Sequence, residues 1–186
     1  MFLNSDSIRS LCDSEGLITG AKDLTFIEGA TYDFRLGKVF VPDPNWDNVP
    51  FFGFAPNSND EIRMLPPLVE ISPDKDDVYH LSYNGRYIIQ SVENFKLPDR
   101  IGALVSFKSS YSVALTSLSG TFCHPGFDGK IKAMLEVYNP RGIMVSRNYR
   151  IGVIKFFWHE EGSCDLYCGI WKGDKITTGG RVERGF

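Results

Sequence analysis

No apolar run in this 186-residue chain is long enough to cross a bilayer as a helix. The opening MFLNSDSIRS also lacks the basic-then-apolar order of a secretory signal. These two absences predict a cytoplasmic protein, bacterial or viral in a host cytoplasm, with no membrane partner. Cysteine is scarce: Cys12, Cys123, Cys164 and Cys168 are too few to staple a chain of this size and are read as reduced thiols. Neither sign of charge dominates. Twenty Lys and Arg stand against 23 Asp and Glu, a net charge of −3, so no basic face announces nucleic acid, although one cleft can still be basic. Helical periodicity is nearly missing after the first sixteen residues.

One amphipathic helix is present at the start. Asn4, Ser5 and Asp6 offer an N-cap, Ile8, Leu11 and Cys12 follow at helical spacing, and Gly16 is the stop. Residues 31–42, 85–95, 102–107 and 151–158 are rich in aromatic and β-branched side chains and read as strands. Residues 42–77, dense in Pro, Asn and Asp, read as long loops between short strands. No internal repeat or linker divides the chain, which predicts one domain over 1–186. Many short strands separated by turns point to a β-sandwich or barrel.

The segment KIKAMLEVYN (130–139) alternates cleanly. Ile131, Ala133, Leu135 and Val137 fall on one face, with Lys130, Lys132, Met134, Glu136 and Tyr138 on the other. NPRG (139–142) reads as a turn, after which IMVSRNYRIGVIKFF returns as the partner strand. Upstream, KSSYSVAL follows an apolar strand. Its serines and Lys108, at the start of a helical turn, make either an anion site or a solvated turn with a serine cap. Glu136 is open to two readings as well: a base in a dry pocket, or a rim carboxylate paired with Lys132.

In order, YDFRLG, ENFKLPDRIGALVSFKSS, HPGFDG, LEVYN and RIGVIKFF resemble the dCTP deaminase family, part of the trimeric dUTPase-like superfamily, over nearly the whole chain. The resemblance implies a mainly β fold: a distorted jelly-roll β-barrel with a short N-terminal helix and few other helical turns. It implies a homotrimer, or a hexamer, with active sites between subunits. It also implies metal-free hydrolytic deamination of a cytosine nucleoside triphosphate, dCTP to dUTP and ammonia, with Mg²⁺ brought by the nucleotide's own phosphates. Glu136 then matches the general base and Ser109 the holder of the water and amino group. Lys108 and Ser110 match the triphosphate contacts, and His124 stands where the family has a sugar-contacting aspartate. The tail GIWKGDKITTGGRVERGF reads either as a frayed terminus or, by the resemblance, as a C-terminal lid over 169–186, with Trp171, Lys172 and Arg181 on the nucleotide.

Three departures from the family pattern bear on function. Val113 occupies the place of an arginine that organises the catalytic water, so a cation is lost. His124 replaces the acid before the Pro-Gly turn. The stretch from Pro125 to Asn139 is longer than usual by two residues, which keeps each side chain on its face but leaves Glu136 and Met134 competing for the catalytic depth. These departures keep open two other readings: a dUTPase-like diphosphohydrolase, or an enzyme of a modified pyrimidine nucleotide; and an inactive nucleotide-binding or regulatory member. HEEGSCDLYC (159–168) contains an H-x-E, but its cysteines are three apart without a preceding proline, so no zinc is expected. His80 has no companion ligand and reads as structural.

Overall fold

The computed structural model describes residues 1–21, 24–54, 61–159 and 166–167. The N-terminal helix forms where its caps predict. In α1 (Ser5–Glu15), Asn4 Oδ1 accepts from the Ser7 N–H at 2.9 Å. Gly16 ends the helix in the left-handed region at φ 67°, which a residue without Cβ adopts cheaply. Ile8 and Leu11 are the buried stripe.

Two short strands, β1 (Ile18–Thr19) and β2 (Ile27–Glu28), lead into the long β3 (Thr31–Pro42). The Pro- and Asp-rich stretch holds β4 (Phe51–Phe54), β5 (Glu61–Met64) and β6 (Leu68–Ile71). Then come β7 (Val78–Leu81), β8 (Arg86–Lys96) and β9 (Ile101–Phe107). A second helix, α2 (Ser109–Val113), precedes β10 (Thr116–Leu118), β11 (Phe122–Cys123), β12 (Asp128–Val137), β13 (Ile143–Ser146) and β14 (Arg150–Trp158). The fold is mainly β: one curled, barrel-like antiparallel sheet in the order β10-β12-β8-β3-β14-β9-β11, with β4–β5 and β7–β13 as separate pairs.

The curl is made at one corner. Residues 31–35 of β3 pair with β14, whereas residues from Leu36 onward pair with β8, with a register shift between Leu36 and Lys38. Gly37 sits at that shift. A Cβ there would lie 2.9 Å from the Ser91 carbonyl oxygen, so only glycine lets the two strands approach this closely. Opposite, β8 bulges: it advances from Asn94 to Gln90 while β12 advances only from Lys130 to Lys132. The Ser91 hydroxyl bridges the bulge, accepting from Ile131 N–H at 2.9 Å and donating to the Glu93 carbonyl at 2.8 Å.

The bulge turns Glu93 fully inward, at 0% exposure. Its carboxylate accepts from Arg35 Nε at 2.6 Å, from the Arg35 backbone N–H at 3.0 Å and from the Tyr32 hydroxyl at 3.2 Å. Arg35 also donates to the Gly20 carbonyl at 2.9 Å. Burial, then the Glu93 charge, pushes the Tyr32 phenol well above its ordinary range, so Tyr32 remains a donor. Around this cluster pack Phe34, Phe95 and Phe156, with Tyr32 edge-on to Phe95 at 6.1 Å between ring centres.

One expectation is corrected. The segment after the 139–142 turn does not return beside β12, whose partners are β8 and β10. It splits: β13 pairs with β7, and β14 pairs with β3 and β9. Gly142 (φ 71°) redirects the chain under Leu81, whose carbonyl oxygen would be 2.4 Å from an added Cβ. Alternation sets which face a strand buries but not which strand it joins.

Removing one member of a buried ion pair leaves the other charge unpaired. Glu93→Ala is expected to cost about 3–5 kcal/mol in urea unfolding. A loss below about 1 kcal/mol would show that the corner does not depend on this pair.

Candidate functional site

Strand β12 buries every second residue, and the faces are those that alternation predicts: Ile131, Ala133, Leu135 and Val137 inward, Lys130, Lys132, Met134 and Glu136 outward. A largely apolar cavity of about 430 Å³ lies against this strand. Its walls include Lys130, Lys132 and Met134 from β12, Ile88 from β8, Leu65 and Leu68 from around β6, Thr121 just before β11, and His124 and Phe127 from the β11–β12 connection.

HPGF (124–127) is a tight turn closed by the Phe127 N–H on the His124 carbonyl at 3.1 Å, with Gly126 at φ 80° as such a turn requires. It turns His124 toward the cavity, where its imidazole stacks parallel to the Tyr167 ring at 6.3 Å and meets the Phe122 edge at 4.7 Å. The Tyr167 N–H donates to the Pro125 carbonyl at 2.8 Å and so ties that ring to the turn. Cys123 lies in the same wall, and burial pushes its thiol up to about 12.

Glu136 lies one outward position beyond Met134, about 7 Å along the strand by the rise per residue. It lines neither this cavity nor the second one described below. Its side chain is only 20% exposed. Among the described residues its partners are Arg86, whose Nε is 3.3 Å from Oε1, and Tyr138, whose hydroxyl donates to Oε2 at 2.9 Å. The reading of a rim carboxylate pairs it with Lys132; its cross-strand partner is Arg86, which register sets opposite Glu136. The bond to Glu136 is the main cause raising the Tyr138 phenol above its ordinary value, which keeps its proton in place to donate.

The helix α2 abuts this end of β12. Ser117 of β10 pairs with Glu136, the Tyr138 N–H donates to the Leu115 carbonyl at 2.9 Å, and Asn139 Nδ2 donates to the Ala114 carbonyl at 3.2 Å. Leu115 takes φ 55°, a left-handed conformation costing a non-glycine residue of order 1 kcal/mol. Ser109 and Ser110 are exposed. Ser110 lines a second cavity of about 460 Å³ with Tyr111, Val145, Ser146 and Tyr149. Lys108 does not reach out alone: its Nζ pairs with the buried carboxylate of Asp33, which also holds Arg150 at 3.2 Å. Arg150 lies over the Phe26 ring at 5.4 Å.

The expected site residues thus do not converge on one place. His124 sits on the apolar cavity with the two lysines, and Ser110 on the other. Glu136 stands at the β10–β12 seam with Arg86 and Tyr138. Sequence reading missed Arg86, Asp33, Arg150 and Tyr167. Asp33, Arg150 and Tyr167 lay in quoted motifs without being singled out, and register and packing bring all four to their places. Trp171, Lys172, Arg181 and the 169–186 segment lie outside the described residues, as do the two cysteines of 159–168. Among the described residues no group of three or more His, Cys, Asp or Glu is placed to hold a metal, and no helix is long and apolar enough to cross a membrane.

A family model described as dCTP deaminase-like matches residues 2–159. The dUMP-forming dCTP deaminase of Persephonella marina is 25% identical over 185 residues, 98% of this chain and 97% of its own length. The deoxyuridine 5′-triphosphate nucleotidohydrolase of Methanocaldococcus jannaschii is 26% identical over 147 residues, covering 79% of this chain and 87% of its own. The fold is that of the crystal structure of 2′-deoxycytidine 5′-triphosphate deaminase from Agrobacterium tumefaciens, with a TM-score of 0.60 at 20% identity. That match covers 83% of this chain and 48% of the other, so this chain spans about half the length of that protein.

Because the thiol of Cys123 is buried and held protonated, it is expected to resist iodoacetamide at pH 8 in the folded protein and to label fully in urea. Peptide mapping checks this, and rapid native labelling would mean the cavity wall opens.

Proposed function

Because the chain belongs to the dCTP deaminase-like family, we propose that it hydrolyses the exocyclic amine of a cytosine nucleoside triphosphate, dCTP above all, releasing ammonia without a protein-bound metal. The observation that carries this reading is Glu136. It is a mostly covered carboxylate on the outward face of β12, held at both oxygens and joined through β10 to the helix bearing Ser109 and Ser110. Each carboxylate oxygen keeps a lone pair beyond its single bond, so a water can still be bound and deprotonated. Glu136 takes a proton from that water as the oxygen bonds to C4, and passes it to N3, which receives the C4=N3 electron pair. It then takes the remaining hydroxyl proton and gives it to the amine; the C4–N bond breaks, ammonia leaves with the electron pair, and the C4 carbonyl of uracil forms. Ser109 holds the water and the amine during the exchange.

The apolar cavity with His124 at its wall suits a pyrimidine nucleoside, and its lysines suit an anionic ligand. Lys108 and Ser110 serve the triphosphate, together with Trp171, Lys172 and Arg181 from a lid over 169–186. Mg²⁺ enters on the phosphates and neutralises part of their charge. The nearest buried acid, Asp33, is already occupied by two cations, which fits a metal held by phosphate oxygens rather than by the protein. The division of these residues between two cavities of one protomer supports a homotrimer, or a hexamer, whose sites are completed by a neighbouring copy. One domain over 1–186 in a cytoplasm, bacterial or viral, agrees with the free Cys12 and Cys123.

A second reading is favoured by His124 and by the names of the relatives: cleavage of the triphosphate, alone or after deamination. A neutral imidazole carries one acceptor nitrogen, so His124 at the place of the acid can hydrogen-bond an attacking water. The exposed Val113, lacking the family's charge, favours a third, an inactive binding or regulatory member.

Incubation with dCTP and Mg²⁺ is expected to release ammonia, with dUTP as product. Glu136→Gln is expected to lower the rate by about 10²–10⁴ while leaving the melting temperature unchanged. Ammonia no higher than in that variant would falsify the deaminase reading. Pyrophosphate and dUMP in the same tube mark the second reading, and nucleotide-induced stabilisation without product marks the third.

A further inference from the structure

We propose that Arg86 is a positioning residue for Glu136, supplying from strand β8 the guanidinium that Val113 does not provide from α2. The assignment rests on the deaminase reading above and concerns how this chain performs it. Val113 is 84% exposed and carries no charge, so nothing at the end of α2 steadies an ionised carboxylate. Arg86 stands directly opposite Glu136 in the β8–β12 register. Directly opposed residues have Cβ atoms about 5 Å apart, so the long arginine stem must fold back across the pair to bring Nε within 3.3 Å of Oε1.

This contact has little to give the fold. The Arg86 side chain is 72% exposed, and an ion pair so open to solvent contributes little to stability. Its effect on the carboxylate is more specific. With Tyr138 on Oε2 and Arg86 on Oε1, both oxygens are fixed, so the side chain cannot rotate away from the outward face. A base that must take a proton and return it to a second atom depends on such fixation, because small displacements cost large factors in rate. Among the described residues Arg86 uses only Nε, which leaves its two terminal nitrogens for the oxyanion or the water. The groups facing Glu136 are Arg86 from β8, Ser117 from β10 and Tyr138 from the strand's own end. Arg86 is the cation among them.

The test compares Arg86→Ala, Val113→Arg and the double variant with the unchanged protein. Arg86 is too exposed for its loss to unfold the chain. Arg86→Ala is expected to lower kcat by about tenfold or more, with KM moving less than about threefold, as for an interaction used in the transition state. Adding Val113→Arg is expected to restore most of the lost kcat. A kcat within about twofold of the unchanged protein overturns the assignment, as does a loss confined to KM. A loss that Val113→Arg leaves in place overturns the exchange of one guanidinium for the other. Titration of the Tyr138 phenol by ring-labelled NMR needs no turnover and reads the same cluster. Arg86 lowers that phenol's pKa, so its removal is expected to move the midpoint further up, and an unmoved midpoint overturns the contact. An unchanged protein that releases no ammonia removes the deaminase reading instead, and the phenol titration then decides the Arg86–Glu136 contact by itself.

Discussion

The carboxylate of Glu93 and the guanidinium of Arg35 meet where two strands bend, and the course of the sheet depends on that meeting. β3 changes partners from β14 to β8 at Gly37, and β8 bulges opposite it to carry Glu93 inward. A buried carboxylate is tolerated only if its charge and lone pairs are answered, and here Arg35 and Tyr32 answer them from β3 itself. Ser91 closes the backbone gap that the bulge opens. The polar corner and the curl of the sheet are therefore one feature: without the inward carboxylate the bulge would have no filling, and without the bulge β12 would lie flatter against β8.

The bulge also sets the register of the candidate site. It lies between Lys130 and Lys132 of β12, so the strand beyond it pairs regularly as far as Glu136. That register sets Met134 against Ile88 on the cavity wall and Glu136 against Arg86 beyond it. Glu136 lies on the outward face, and Met134 rather than Glu136 lines the apolar cavity. The carboxylate stands at the seam between β12 and β10, next to the strained Leu115 and the end of α2. The fold thus sets side by side an apolar cavity lined by two lysines, a carboxylate held at both oxygens, and the hydroxyls of α2.

The alternation of KIKAMLEVYN was enough to place every side chain of β12 on its correct face, and the Asn4 and Gly16 caps were enough to bound α1. The partner of β12 was not legible, because turn chemistry at 139–142 says that the chain reverses but not which edge it joins. Arg86 was invisible for the same reason. It sits fifty residues from Glu136 in sequence, and no local pattern links the two. Lys108 reads locally as a free cation beside a helix start, and only packing shows that Asp33 and Arg150 share its charge.

The sequence by itself determined the faces of the strands, the ends of the first helix and the family of the fold, because these follow from side-chain period, capping and motif order along a contiguous chain. The tertiary structure decided which charges meet. Ion pairs such as Arg35–Glu93 and Arg86–Glu136 depend on strand register across the sheet, and register is settled by bulges and packing that no single segment encodes.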